Sequence, residues 1–155
     1  MAAVKPIPDG YPRVIPSLII EGAPAAIEFY EAVLGTSVRM RMDAPDGRVG
    51  HAELQLGDSV IMLADEFPDM GYLGPKSVGG TSVTLSVYVD DVDAVFERAL
   101  AAGATEVRAV ENQFYGDRSG QFEDPFGHRW SVATHIEDVP EDEMMRRAAE
   151  AMSQG

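Results

Sequence analysis

His51 and Glu53 stand two residues apart in the run "HAELQL". On an extended strand, residues two apart share a face, so an imidazole and a carboxylate would project side by side. Imidazole is the side chain whose charge changes near neutral pH, and a neighbouring carboxylate can orient it. The pair is therefore a candidate for general acid–base work. The rim of a solvated strand has the same composition, and the residues alone leave both readings open. Comparable side chains recur later as Gln121, Glu123, Arg129 and Ser131 in "GQFEDPFGHRWS". Just upstream, "FYGDRSG" sets Phe114 and Tyr115 near Asp117 and Arg118. An aromatic pair beside a guanidinium can touch a ligand, whereas an Asp117–Arg118 ion pair would only fix the loop. His128 and His135 have no comparable setting. There is no nucleophile elbow, phosphate-binding glycine loop or His-Glu-x-x-His helix.

Composition narrows the field. The chain has 155 residues, 45% hydrophobic and 25% charged, the balance of one soluble globular domain. No apolar stretch approaches the roughly 20 residues of a membrane span, and no leader segment is visible. The absence of cysteine excludes disulfides, thiolate metal sites and a cysteine nucleophile. It fits a reducing cytoplasm, the expected location. The 26 acidic and 12 basic residues give a net charge of −14. Such a surface repels nucleic acid and anionic membranes and attracts cations, so neither of the first two is an expected partner.

The elements that must position these side chains come as a repeat. Leu18-Ile19-Ile20 precedes "EGAPAAIEFYEAVLG", and Val87-Tyr88-Val89 precedes "DDVDAVFERALAAG". Each reads as a strand, a polar break and a helix with apolar residues at helical spacing: Ile27, Tyr30 and Leu34, then Val92, Val95, Phe96 and Leu100. The helices end at Gly35 and Gly103, as C-terminal caps would. Farther on, "HAELQLGDSVIML" pairs with "QFEDPFGHRWSV" at an offset of 69 or 70 residues, Glu53 falling on Glu123 and Met62 on Ser131. Asp124-Pro125-Phe126-Gly127 fits a type I turn that shapes a hairpin. The pattern predicts a loose arm over 1–12 and a first strand–helix–strand–strand–strand module over 13–64. A linker over 65–80, a second module over 81–136 and a C-terminal helical tail over 137–155 complete a single domain.

Residues 13–136 resemble the vicinal-oxygen-chelate superfamily of glyoxalases, extradiol dioxygenases and bleomycin-resistance proteins. The resemblance is carried by "AAIEFYEAVLG", "HAELQLGDSVIMLAD", "SVYVDDVDAVFERALAAGA" and "GDRSGQFEDPFGHRWSVATH", and is strongest to the PhnB-like branch. It implies an α+β fold: two tandem βαβββ modules whose mixed sheets form cups, helices outside, and a C-terminal helix. Members that hold a metal use the first and last strand of each module, and the resemblance places those positions at Ile15, Met62, Thr84 and Ser131. A catalytic divalent ion wants three or more imidazoles or carboxylates, so neither metal nor other cofactor is expected. If Thr84 faces the cup, Ser82, Ser86 and Tyr88 do too, and Val83, Leu85 and Val87 enter the core. His51, Glu53, Gln121, Glu123, Arg129 and Ser131 then line the cup, with Trp130 and Val132 under the helices. Phe114, Tyr115 and Arg118 complete the expected ligand set. The implied function is metal-free small-molecule binding or sequestration by a homodimer, with Glu53 and Glu123 receiving a cationic group. The alternative is an isomerase, lyase or dioxygenase of the same superfamily, with His51 and Glu53 as catalytic candidates.

Overall fold

The computed structural model describes residues 3–155. Two compact units divide the chain, Met1–Gly80 and Thr81–Gly155. Each is built on a four-stranded mixed sheet with the same strand order.

The first unit runs β1 (Ser17–Ile20), α1 (Ala23–Leu34), β2 (Ser37–Asp43), β3 (Val49–Leu56) and β4 (Ser59–Asp65), with sheet order β1-β4-β3-β2. β1 lies parallel to β4, and the other pairs are antiparallel. Alternation along β3 sends Ala52 and Leu54 into the core with Tyr30, Val33 and Leu63. Helix α1 has no side-chain cap of its own at Gly22. Asp65 at the end of β4 supplies one: Oδ1 accepts from Gly22 and Ala23 N–H at 3.1 and 2.8 Å, and Oδ2 from Val49 N–H at 2.7 Å. A carboxylate suits the positive end of the helix dipole. At the other end Gly35 adopts φ 74° and its N–H returns to Glu31 O, the left-handed stop that glycine permits.

Beyond β4 the chain is more than a linker. Phe67 and Tyr72 exchange both backbone hydrogen bonds, at 3.0 and 3.1 Å, around a 3-10 turn over Pro68–Met70. A single helical turn, α2 (Pro75–Val78), follows. Glu66 pins the segment by accepting from Gly74 N–H at 2.7 Å and Ser77 Oγ–H at 2.5 Å.

The second unit comprises β5 (Thr84–Tyr88), α3 (Val92–Ala101), β6 (Thr105–Asn112), β7 (Asp117–Glu123), β8 (Arg129–His135) and α4 (Glu141–Ser153), with sheet order β5-β8-β7-β6. Its core gathers Val95, Phe96, Phe122, Trp130 and Val132. Thr134 occupies the place that Asp65 holds in the first unit. Its Oγ1 accepts from Val92 N–H at the start of α3 and donates to Val89 O, both at 2.9 Å. The turn after β7 has the expected shape, with Gly127 N–H donating to Asp124 O at 3.1 Å. The buried Asp124 carboxylate also accepts from Phe126 N–H, His128 N–H and Trp130 Nε1–H at 2.9, 3.0 and 2.9 Å. The turn therefore anchors the core tryptophan.

Three expectations need correction. Glu53 faces Met62 and Gln55 faces Val60, whereas Gln121 faces Ser131 and Glu123 faces Arg129. With Met62 and Ser131 equivalent, Glu53 matches Gln121, and Glu123 matches Gln55. The second hairpin turn is one residue longer, so residues displaced along the sequence stay on the same face. Val83 is 62% exposed rather than core, because it precedes β5 in a loop where its N–H donates to Thr81 Oγ1 at 3.1 Å. Leu100 lies at the edge of the α3 stripe, which buries Val92, Val95, Phe96 and Ala99.

The tail helix begins at Glu141, with Pro140 as its N-cap. It buries no side chain and is held by charge: Arg147 bridges Glu137 and Glu143 at 2.9 and 3.0 Å and donates to Phe114 O at 3.1 Å. The flanking Arg146 and Arg147 guanidiniums hold the Glu143 carboxyl down at about 2. Among the described residues, no helix is long and apolar enough to cross a membrane.

Candidate functional site

Strand β3 presents His51 and Glu53 on one face, but the carboxylate is not open to solvent. Glu53 is 5% exposed. Its Oε1 accepts from Tyr11 O–H at 2.6 Å and its Oε2 meets His51 Nε2 at 2.9 Å. Tyr11 belongs to the segment expected to be a loose arm, of which residues 1 and 2 lie outside the described residues. Arg39 on β2 fixes it, with its guanidinium 4.4 Å from the Tyr11 ring centroid and Nη1 donating to Gly10 O at 3.0 Å. The Tyr11 and His51 contacts, in that order, hold the Glu53 carboxyl below its ordinary range. The same bond pushes the Tyr11 hydroxyl up. Glu53 is thus an ionised acceptor, and a neutral His51 that donates to it through Nε2 presents Nδ1 as its unprotonated nitrogen.

His51 also lines a concavity of about 380 Å³ within the first unit. Ser17 and Ile19 of β1, Gly50 beside His51 on β3, and Ala64 of β4 form one part of its wall. Phe67, Met70 and Tyr72 of the folded-back segment form the rest. Arg48 braces that side, stacking 4.0 Å over the Phe67 ring while bound to Asp46 at 2.7 Å and to Glu66 O at 3.1 Å. A Cβ at Gly74 would lie 2.9 Å from Ile19 O, so the segment reaches β1 only because that residue is glycine.

Of the expected site residues, the structure gathers only His51 and Glu53 here. The others lie in the second unit. Thr84 is exposed opposite Arg129, and Ser131 lies between Ser86 and Gln121. Glu123 faces Arg129 across the strands, yet among the described residues no ion pair joins them, and Arg129 Nε is buried without a hydrogen-bond partner. Arg118 is engaged by Asp93 at 2.8 and 2.9 Å and by Asn112 at 3.0 Å, not by Asp117. Phe114 and Tyr115 pack edge to face at 5.2 Å, both more than a third exposed.

Sequence reasoning missed four groups. Tyr11, Phe67 and Tyr72 sit in Pro- and Gly-rich stretches that read as connections, and aromatic residues within such stretches were the available signal. His135 is the fourth. Its Nδ1 meets Asp117 Oδ1 at 2.8 Å and its Nε2 meets Asp138 Oδ1 at 2.7 Å. Asp117 also accepts from Tyr88 O–H at 2.7 Å. Asp117, then Asp138, raises the His135 imidazole above its ordinary value.

A metal of the superfamily's kind does not fit these residues. Ile15, Met62, Thr84 and Ser131 offer neither imidazole nor carboxylate. Nor does His51 with Glu53 form part of a larger donor set: among the described residues, no group of three or more His, Cys, Asp or Glu side chains could hold an ion.

Residues 15–132 match the family model of the Glyoxalase/Bleomycin resistance protein/Dioxygenase superfamily. The chain belongs to that superfamily. Among its superfamily relatives is the uncharacterized protein Mb0911c of Mycobacterium bovis, 43% identical over 136 residues that cover 86% of this chain and 90% of that protein. Of solved structures, TioX from Micromonospora sp. ML1 superposes with a TM-score of 0.63 at 27% identity, covering 81% of this chain and 99% of its own. A putative 3-demethylubiquinone-9 3-methyltransferase, the PhnB protein from Bacillus cereus, shares the fold with a TM-score of 0.64 at 18% identity, covering 79% of this chain and 99% of its own. The superfamily accounts for the tandem sheets, and the arm and the folded-back segment add the particular chemistry of this site.

Proposed function

We propose that this superfamily member binds and sequesters a small, largely apolar molecule in the concavity of its first unit, as a cytoplasmic homodimer without cofactor. The observation that carries the reading is the wall itself. Ile19, Ala64, Phe67, Met70 and Tyr72 enclose a volume in the range of small-ligand sites, with Ser17 and His51 as orienting polar groups. A cationic ligand is the weaker version. The net charge of −14 favours cations at long range, but no carboxylate lines this wall and Glu53 is covered by Tyr11. The test is a thermal-shift screen of aromatic antibiotics and thiol adducts, in which a ligand at about 100 times its Kd stabilises by about 2.7 kcal/mol. Stabilisation by a hit should disappear in Ala64→Trp, which fills the concavity; a hit that stabilises that variant equally overturns the placement. Light scattering at micromolar concentration should give twice the chain mass, and a monomer mass removes the dimer from the reading.

One observation favours an enzyme instead: His51, oriented by Glu53, stands on the wall where a substrate would lie. Turnover of a hemithioacetal or a catechol by the purified protein would replace sequestration with catalysis.

A further inference from the structure

We infer that the first-unit pocket selects a weakly acidic hydroxyl, a phenol or an enol, and that His51 Nδ1 takes the hydroxyl proton when the molecule binds. The inference rests on the proposed pocket and adds the ligand class. Nε2 is committed to Glu53, so the only basic nitrogen His51 can offer is Nδ1. Glu53 is buried, ionised, and held in place by Tyr11. It therefore holds the imidazole ring in place as an acceptor that does not move. The charged or titratable groups acting on Glu53 are Tyr11, His51 and Arg39, and Tyr72 is the other titratable residue on the pocket wall.

The transfer balances. The ligand O–H bond breaks and its electron pair stays on oxygen. A new N–H bond forms at Nδ1, and the Nε2 proton remains shared with Glu53. The net charge of the site is unchanged, and no oxidant, metal or second substrate takes part. On release the proton returns to the ligand. A phenolate or enolate spreads its charge over a planar framework, which suits a wall built from Phe67, Met70 and Tyr72. An ammonium would meet the imidazole with no carboxylate exposed to receive it. A carboxylate would seek a guanidinium, and Arg48 is already held by Asp46 and Glu66 O. Tyr11 and Glu53 act through His51 and are positioning residues.

The experiment titrates the full chain with 4-nitrophenol at about one pH unit below the free probe's own pKa, where about a tenth of it is ionised, and with 4-nitrotoluene as the counterpart that has no hydroxyl. The expected result is saturable binding of the phenol with growth of the nitrophenolate band, the bound anion fraction rising several-fold over the free probe. His51→Phe should lose the band. In the free protein, nitrogen NMR should show neutral His51 as the Nε2–H tautomer, and Glu53→Gln should turn this into a mixture, an effect that general destabilisation would not produce. A bound phenol that stays neutral, a nitrophenolate band that persists in His51→Phe, or binding of 4-nitrotoluene alone overturns the proton transfer and leaves the pocket standing. If neither probe binds saturably, the pocket fails and the inference fails with it.

Discussion

Gly74→Ala isolates the role of the folded-back segment. Gly74 has φ −87° and ψ 174°, an extended conformation that alanine adopts freely, so the substitution introduces no backbone strain. Only the added methyl counts. It would lie 2.9 Å from Ile19 O, 3.2 Å from Glu66 Oε1 and 3.4 Å from the Ile19 carbonyl carbon. The first two are backbone and an engaged carboxylate, neither free to move without cost. Relief therefore comes by lifting the segment off β1. Overpacking of this kind costs about 1–3 kcal/mol, and because the segment opens locally the cost falls on its docking rather than on the sheet. The amides to watch are Phe67 and Tyr72, which bond to each other's carbonyls. Their hydrogen exchange should quicken about 5- to 150-fold, the factor that corresponds to that energy. Exchange in β3 and β4 should be unchanged, and 4-nitrophenol affinity should fall with segment docking. Protection of both amides within about twofold of the parent would refute the claim that Gly74 sets the approach of this wall.

Trp130→Ala should cost about 3–5 kcal/mol through lost burial and the resulting cavity, with a further loss because Asp124 is deprived of its indole donor; chemical denaturation measures it. Asp65→Ala leaves the Gly22, Ala23 and Val49 N–H groups without their acceptor and should cost about 3 kcal/mol, roughly that of breaking a charged buried contact; an unchanged denaturation midpoint would show that water replaces the carboxylate. His135 is raised above its ordinary 6.5 by Asp117 and Asp138, so its contribution is full below pH 6.5 and is lost as pH rises through the folded value. Asp117→Asn should flatten the fall of the melting temperature as pH rises above 6.5, and a profile identical to the parent's would sink it.

The repeat, the helix stops and the facing of the strands were legible because period and turn chemistry are local. The repeat partner of Glu53 is read two residues off, a slip that preserves strand parity and so keeps Gln121 and Glu123 on one face. What escaped the sequence was anything that joins distant segments. Tyr11 meets Glu53 across 42 residues, Tyr88 meets Asp117 across 29, and Arg118 meets Asp93 across 25. No spacing rule encodes such contacts. The contacts of the arm and of the 65–80 segment escape the sequence for a related reason. Pro and Gly mark where regular structure stops, and they do not reveal whether the irregular backbone then packs on something.

The docking of Tyr11 bears on how far kinship can be trusted here. The superfamily match begins at residue 15, four residues past the hydroxyl that fixes Glu53. A relative could share every strand and still carry a different leader, or none that reaches β3. A carboxylate at the place of Glu53 would then lose the cover that Tyr11 gives it here. Trimming this chain to its family boundary for expression would make that change in a single step, leaving the fold recognisable and its acid–base character altered.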